Sequence, residues 1–220
     1  MATFTYTPLN LDELSIRLLY IRKGWPGEDI LCELCESYPD PEKGIPYQAL
    51  SYNWGGIQHE PRPGLPLVLI DGYQVSLTEN LYSALWHIRR PDQNIFLWVD
   101  AICINQDDPR EKGHQVNQMG YIYKGAEEVL IWLGPGHEGT DTLLESCSWI
   151  DAKATELQAM GSTENWATLC GHFMRQRWPN TSRTSSWPKQ VLAELLMRPW
   201  FKRVWYVNLG LFLLLSKSKS

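Results

Sequence analysis

Three short apolar segments, separated by two stretches of helical periodicity, constrain the fold of this chain more than any other feature. The segments are Tyr47–Trp54, Ile95–Asp100 and Glu128–Leu133. The middle segment is almost continuously apolar, which is typical of a strand buried on both faces of a parallel sheet. The order strand, helix, strand, helix, strand predicts a βαβαβ unit and therefore an α/β fold.

The two stretches between these strands carry the usual signals of helix ends. Thr78 is a favourable N-cap for the first helix, and Pro91 follows its last turn. Asp108 is a favourable N-cap for the second helix, and Pro109 suits its first position. These end signals support the assignment of both stretches as helices.

Additional β structure is predicted on both sides of the first strand of this unit. Ser15–Arg22 and Ile30–Glu36 are rich in apolar residues and are separated by Gly24-Trp25-Pro26-Gly27, which predicts two strands and a turn. Leu67–Val75 is predicted to form a β-hairpin insertion, because Asp71-Gly72 suits the left-handed positions of a tight turn.

The remainder of the chain has a mostly helical pattern. From Thr140 onward, apolar residues recur at intervals of three and four. The chain has 220 residues, and domains run to ~100–200 residues. We therefore expect one domain over residues 1–206, with an α/β core over about 15–136 and a helical extension over about 140–206.

Net charge and apolar runs exclude several classes of partner. Lysine and arginine total 20 residues against 25 aspartates and glutamates, which gives a net charge of −5. A broad electrostatic contact with nucleic acid or anionic lipid is therefore not expected. The longest apolar run, Leu209–Leu215, is far shorter than the ~20 residues of a membrane-spanning helix, so no membrane span is expected.

The cysteines indicate a reducing compartment. The five cysteines are irregularly spaced, and the N-terminal residues lack the apolar stretch of a signal peptide, which predicts a cytoplasmic protein with free thiols. A zinc site is not favoured, because alternation along a strand would send Cys32 and Cys35 to opposite faces. A buried, inert thiol is the preferred interpretation of Cys103.

Candidate ligand-binding residues follow the first strand of the βαβαβ unit. Ligands of open α/β sheets bind outside the carboxyl ends of the strands. Trp54 is placed there, and its ring could stack on a nucleotide base or simply close the sheet. Gly55 could allow the backbone to approach a phosphate.

The second strand ends in a polar segment at the same edge. Asp100 follows a buried apolar run, so its carboxylate must be hydrogen-bonded or paired; it could bind a ribose hydroxyl or hold the loop that follows. Asn105 and Gln106 offer amide donors and acceptors. These two amides could contact a ligand or hold the loop.

The sequence resembles a known family, the heterokaryon incompatibility (HET) domain of filamentous fungi. The resemblance is carried by YQALSYNWG, NLYSALWHIR and LWVDAICINQDDPREKGHQVNQMGYIYKGAEEVLIWLG, and SIRLLYI and RPWFKRVW also fit. It extends from about Ser15 to Tyr206. It implies an effector of programmed cell death in non-self recognition, with a fold related to TIR (Toll/interleukin receptor) domains. Such a fold has a flavodoxin-like, mostly parallel central sheet flanked by helices.

The resemblance also implies partners and a catalytic candidate. TIR-like domains commonly form homo-oligomers, and other incompatibility proteins or NOD-like receptor proteins would be further partners. Some TIR domains cleave NAD, with a glutamate on the helix after a central strand; here Glu111 occupies that place. A carboxylate could stabilise the ribosyl cation as nicotinamide leaves, which makes NAD a substrate and not a cofactor.

Two alternatives to catalysis by Glu111 remain open from the sequence. Asp108 at the N-cap and Glu111 three residues later match a capping box, which needs no chemistry. The domain could also be a non-enzymatic signalling module that acts by self-association.

Residues 207–220 depart from the family pattern. The family continues with a Gln-Glu pair, where this chain has Asn208-Leu209 followed by an apolar run and a Ser/Lys end. We expect this segment to be either a truncation or an artefact of a gene model that reads through an intron. An inactive remnant is a further hypothesis for the whole chain.

Overall fold

The computed structural model describes residues 4–55, 58–59, 67–159 and 187–202. The chain divides after Gly134 into two units, Met1–Gly134 and Pro135–Ser220. Among the described residues, the first unit contains all the strands and three helices, and the second contains two helices.

The first unit is built on a seven-stranded sheet, beside which two short strands form a separate ladder. The strands of the described residues are β1 (Ile16–Ile21), β2 (Ile30–Ser37), β3 (Gln48–Tyr52), β4 (Gln58–His59), β5 (Val68–Ile70), β6 (Tyr73–Gln74), β7 (Leu77–Thr78), β8 (Ile95–Trp98) and β9 (Glu128–Trp132). The order across the main sheet is β6-β5-β2-β1-β8-β3-β9, and β4 pairs with β7.

Two of the three helices described in the first unit were predicted; the short helix after β8 was not, because that segment was interpreted as a loop. In the first unit they are α1 (Glu79–Ile88), the short α2 (Asp100–Cys103) and α3 (Pro109–Gly125). In the second unit they are α4 (Glu138–Ala159) and α5 (Trp187–Leu196), followed by a 3-10 turn over Pro199–Lys202. The predicted helical character of the C-terminal part is therefore confirmed for these described segments.

The βαβαβ prediction is confirmed. Strand β3 pairs in parallel with β8 on one side and with β9 on the other. Thr78 caps α1, since its Oγ1 accepts a hydrogen bond from the Leu81 amide at 3.3 Å. Because parallel strands point the same way, the chain segments that follow β3, β8 and β9 share one edge of the sheet.

The sheet as a whole is mixed, which corrects the expected mostly parallel sheet. Pairs β2–β5, β3–β8 and β3–β9 are parallel, whereas β1–β2, β1–β8 and β5–β6 are antiparallel. The connection between β1 and β2, residues 22–29, is shorter than the crossover that parallel pairing needs, so the two strands are antiparallel. Strand β1 then lies against β8, with Leu19 opposite Leu97, so the hairpin extends the sheet in antiparallel orientation.

The predicted hairpin insertion is confirmed. Strands β5 and β6 are antiparallel, with Ile70 opposite Tyr73. Asp71 and Gly72 have φ angles of 51° and 80°, so both central turn residues are left-handed, as in the tight turns that suit twisted strands.

The core of the first unit is formed by its central strands. In β1, Leu18 and Leu19 point to opposite faces and both are fully buried. In β8, Trp98 is fully buried and makes an edge-to-face contact with Tyr123 of α3, with ring centroids 5.5 Å apart. Burial of both faces explains why these strands are continuously apolar in sequence.

Helix α3 ends in close contact with the loop after β2. A Cβ placed on Gly125 would lie 1.7 Å from the Pro39 carbonyl oxygen, so no larger residue fits without movement of the backbone. Gly120 lies in the same helix, and a Cβ there would meet nothing within 4 Å.

These two glycines provide a matched test of the packing. Gly125→Ala is expected to lower the free energy of unfolding, because the new methyl group collides with a backbone oxygen. Gly120→Ala is expected to raise it by up to ~1 kcal/mol, because alanine has the higher helix propensity. Urea denaturation of both variants measures the difference, and equal effects would contradict the close approach.

Candidate functional site

The candidate site lies where β3 and β8 end. These neighbouring strands are parallel, and Trp54 follows the first while Asp100 follows the second. The indole Nε1 of Trp54 donates a hydrogen bond to Asp100 Oδ1 at 2.7 Å. The structure thus brings together two residues, 46 positions apart, that the sequence placed at this edge.

The Asp100 carboxylate also orders the start of α2. Its Oδ1 accepts a hydrogen bond from the Ala101 amide at 2.9 Å. Gln106 closes the loop after α2, since its Nε2 donates to the Asp100 carbonyl at 2.8 Å. Gln106 Oε1 is buried and has no hydrogen-bond partner among the described residues. Trp54, Asp100 and Gln106 therefore form one cluster, which we call the edge cluster.

Asn105 and Gly55 lie beside the edge cluster. Asn105 is half-buried, and its Oδ1 accepts a hydrogen bond from the Asp107 amide at 3.2 Å. This bond holds the loop, as one of the two sequence hypotheses proposed. Gly55 is half-buried, and a Cβ there would meet only the side chain of Asn53, at 2.8 Å.

Glu111 lies in the interior and is paired with Arg17 of β1. The two residues are 2% and 4% exposed. Arg17 Nη1 contacts Glu111 Oε1 at 2.5 Å, and Arg17 Nη2 contacts Oε2 at 2.9 Å. Glu111 Oε1 also accepts a hydrogen bond from the Asn105 amide at 2.7 Å. Both carboxylate oxygens are engaged by protein donors, so a catalytic role for Glu111, which stays a prediction, requires this pair to open.

Arg17 connects four segments of the first unit. Besides Glu111, its guanidinium donates to the Cys103 carbonyl at 3.2 Å and to the Thr7 carbonyl at 2.5 Å. The ring of Tyr6 lies 4.9 Å from the guanidinium carbon, and the Tyr6 hydroxyl donates to the Ile102 carbonyl at 2.9 Å. Burial of this phenol raises the pKa of Tyr6 to about 12.

The predicted cap of α3 is confirmed, but only half of the capping box is present. Asp108 Oδ1 accepts hydrogen bonds from the amides of Arg110 and Glu111, at 2.9 and 3.2 Å. In a capping box the Asp108 amide would donate a hydrogen bond to the Glu111 carboxylate. That amide instead bonds the Asn105 carbonyl at 3.3 Å, because Arg17 holds the Glu111 carboxylate against the loop.

Arg17 and Asn80 were not predicted from the sequence as residues near this edge. A charged residue inside the apolar strand IRLLYI was a usable signal, because a buried charge needs a partner. Asn80 bridges two strand ends: its Nδ2 donates to the Asn53 carbonyl at 2.8 Å, and its Oδ1 accepts from Trp132 Nε1 at 2.9 Å. An asparagine in the first turn of a helix carries no comparable signal.

Asp100 is the one carboxylate of the edge cluster, and the cluster contains no thiol. Within the described ranges, no three His, Cys, Asp or Glu side chains are arranged to hold a metal ion. Cys103 is fully buried, as predicted, and burial raises its pKa to about 12. Burial likewise raises the pKa of Cys32 to about 12. Cys170 lies outside the described residues.

The fold and the edge cluster together define an α/β domain with a mixed sheet and a polar, tryptophan-bearing carboxyl edge. Residues 47–208 match the family described as heterokaryon incompatibility protein (HET). This match covers well over half of the 220 residues, and the chain belongs to the heterokaryon incompatibility family. The family resemblance expected from the sequence motifs is thereby confirmed.

Comparison with curated proteins agrees with this assignment. The chain is similar to heterokaryon incompatibility protein 6, OR allele, of Neurospora crassa, with 29% identity over 234 aligned positions. The alignment covers 93% of this chain and 33% of the relative, so the chain spans about a third of that protein's length. No solved structure matches the chain. None of the helices in the described ranges is long and apolar enough to cross a membrane.

The buried ion pair predicts a strong asymmetry between single and double substitutions. Glu111→Ala is expected to lower the free energy of unfolding by ~3–5 kcal/mol, because it leaves the Arg17 guanidinium buried without its counter-charge. Adding Arg17→Met is expected to recover part of this loss, because the desolvated charge is removed. Chemical denaturation of the full cycle measures the coupling.

A matched control is the exposed pair between Arg22 and Glu33. Glu33→Gln is expected to change stability little, since solvent screens exposed charges. If Glu111→Ala were no more destabilising than Glu33→Gln, the ion pair would not support the fold.

Burial of the thiols predicts selective alkylation. At pH 8, Cys103 and Cys32 are expected to resist iodoacetamide, because their raised pKa values leave little thiolate. Cys147 is exposed and is expected to react. Peptide mass spectrometry before and after denaturation distinguishes them, and fast labelling of Cys103 in the folded protein would contradict its burial.

Proposed function

We propose that this chain is an effector of cell death in non-self recognition and that the edge cluster binds a nicotinamide nucleotide. The observation that carries the nucleotide proposal is the Trp54–Asp100 pair. Trp54 is 42% exposed, so part of its ring is open to a ligand, while its N–H is fixed to Asp100. Family membership supports the incompatibility role and, with it, action in the cytoplasm together with other incompatibility or NOD-like receptor proteins.

The chemistry of the edge cluster suits a nucleoside. An indole ring can stack on adenine or nicotinamide, and a carboxylate can accept a hydrogen bond from a ribose hydroxyl. Gln106 adds an amide to the edge cluster; its Oε1 is buried, so the side chain must turn for this acceptor to meet a ligand. An aromatic ring, a carboxylate and an amide at one edge match the three kinds of contact that a nucleoside needs.

Strand order supports a flavodoxin-like or TIR-like fold. In chain order β3, β8 and β9 form a βαβαβ unit, and their spatial order is β8-β3-β9. This is the 2-1-3 order of flavodoxin-like sheets, which bind ligands at the carboxyl ends of the strands. The switch point of this order lies between β3 and β9, and the edge cluster lies beside it, at the ends of β3 and β8.

The proposed reaction is hydrolysis of NAD. The bond between the nicotinamide nitrogen and the ribose C1′ breaks, and its electron pair leaves with nicotinamide, which becomes neutral. A water molecule adds to C1′, and its proton is released to solvent. Asp100 is the carboxylate of the edge cluster that would stabilise the oxocarbenium-like ribosyl group. In this proposal Glu111 acts as a positioning residue that holds the Asn105 loop.

A second candidate function is signalling by self-association. In the second unit, α5 exposes Leu192 and Leu196, which are four residues apart and share a face, and Met197 follows them. Exposed apolar side chains of this kind mark interaction sites when they are contiguous. Their exposure supports an assembly role for the helical unit.

Turnover of NAD tests the enzymatic proposal. The purified chain, at high concentration, is expected to release nicotinamide from NAD, as measured by chromatography. Asp100→Asn is expected to reduce this rate by ~10²-fold or more, the scale of a lost acid–base or charge-stabilising group. Trp54→Phe keeps a ring but loses the bond to Asp100, and it is expected to raise KM.

The control is Asp92→Asn, an exposed substitution of the same chemistry in the segment that precedes β8. It is expected to leave turnover unchanged. Absence of both NAD turnover and NAD binding in a folded protein would reject the nucleotide proposal. Sedimentation of the same sample then tests the second candidate, because a strictly monomeric protein would contradict self-association.

A further inference from the structure

Helix α5 of the second unit is apolar well beyond the side that it buries. Val191 and Leu195 are buried. Leu192 and Leu196, four residues apart, lie on a neighbouring face and are exposed, and Met197 follows with 65% exposure. We call Leu192, Leu196 and Met197 the α5 patch. A helix that is apolar around most of its circumference is usually buried, so the α5 patch has the character of a covered surface.

Positive charge follows the α5 patch directly. Arg198 comes after Met197, and its Nη2 donates a hydrogen bond to the Pro135 carbonyl at 3.1 Å, which holds the guanidinium beside the end of α5. Lys202 ends the 3-10 turn and is exposed, as is Phe201 before it. Apolar side chains and basic side chains are therefore exposed together at this end of α5.

The acidic residue of α5 lies away from the patch. Glu194 follows Leu192 by two residues, a spacing that places it on the other side of the helix. There its Oε2 lies 3.7 Å from His137 Nε2. Glu194 therefore does not offset the positive charge beside the patch.

The acidic side chains of α4 also point away from α5. Val191 of α5 packs at Gly139 of α4, where a Cβ would lie 3.2 Å from the Val191 Cγ2. Asp141 follows Gly139 by two residues and so lies on the opposite side of α4, and Glu145 follows one turn later; both are exposed. The second unit is thus polarised, with negative charge on one side and the α5 patch with its basic residues on another.

This charge distribution distinguishes between two ways of covering the patch. A symmetric contact between two copies uses the same surface twice, so it would bring the basic residues of each copy close to those of the other. An anionic bilayer surface offers hydrocarbon to the apolar side chains and negative headgroups to the basic ones. The sequence after Glu194 has the same character, with five lysines and arginines and no aspartate or glutamate.

We propose that the α5 patch docks on an anionic membrane surface, with Arg198 and Lys202 against the lipid headgroups. The helix lies on the bilayer in this arrangement and does not span it. The net charge of −5 opposes a broad electrostatic contact, whereas this contact is local and mainly apolar, and the acidic side of α4 faces away from the lipid. The edge cluster takes no part, so the inference is independent of the proposed reaction.

Binding of the whole chain to lipid vesicles tests this proposal. The chain is expected to co-sediment with vesicles of equal parts phosphatidylserine and phosphatidylcholine, and to bind phosphatidylcholine vesicles about tenfold or more weakly. Leu196→Glu is expected to weaken binding to the anionic vesicles by about tenfold or more, because it places a carboxylate in the apolar contact. Lys202→Gln is expected to weaken it about fivefold, the effect of one basic residue near an anionic surface.

Two control variants make the same changes of charge elsewhere. Leu144→Glu replaces a leucine of α4 that is 47% exposed, against 50% for Leu196. Lys112→Gln replaces an exposed lysine of α3. Both are expected to leave vesicle binding unchanged, and circular dichroism checks the fold of each variant. Failure of the folded wild type to bind the anionic vesicles would overturn the proposal, as would equal weakening by Leu196→Glu and Leu144→Glu.

Sedimentation velocity of the same samples tests the other way of covering the patch. A dimer that Leu196→Glu dissociates, in a protein that does not bind the vesicles, would identify the α5 patch as a contact between copies. That result would overturn the membrane proposal.

Discussion

The buried ion pair between Arg17 and Glu111 is the interaction on which the first unit most depends. A guanidinium and a carboxylate, both almost completely buried, are stable only because each satisfies the other. The pair joins β1 to α3, and its remaining donors and acceptors reach the loops at Thr7, Cys103 and Asn105. Two elements that are 94 residues apart in sequence are thus fixed by one contact.

This pair also explains why the two carboxylates near the carboxyl edge have different surroundings. Glu111 is held in the interior by Arg17, and through Asn105 it sets the course of the loop that leads into α3. Asp100 lies at the surface end of the same loop, where it meets the half-exposed ring of Trp54. One carboxylate therefore supports the loop, and the other is placed where a ligand could reach it. Chain position alone does not separate these roles, because both residues flank the same polar segment.

Local features of this fold could be predicted because their causes are local. The turn at Asp71-Gly72 follows from the left-handed backbone that these two residues tolerate, and the cap at Asp108 follows from a side chain that reaches its own helix. The mixed sheet could not be predicted from the sequence. The placement of β1 beside β8 depends on contacts between residues far apart in the chain, such as Leu19 with Leu97. Arg17 was not predicted as the partner of Glu111 for the same reason, since the two residues are 94 positions apart. The helix-capping pattern accounts for a glutamate at position 111 with or without an arginine as its partner.

The family match covers less of the chain than the central sheet does. The match begins at Tyr47 and so leaves out β1 and β2. Yet β1 lies inside the sheet, between β2 and β8, and it carries the arginine that neutralises Glu111. A segment that began at Tyr47 would expose one side of β8 and would leave a buried carboxylate without its counter-charge. The alignment with the Neurospora crassa relative covers 93% of the chain, so it must include most of the residues before Tyr47. The unit that folds is therefore larger than the matched segment, and the β1–β2 hairpin belongs to it.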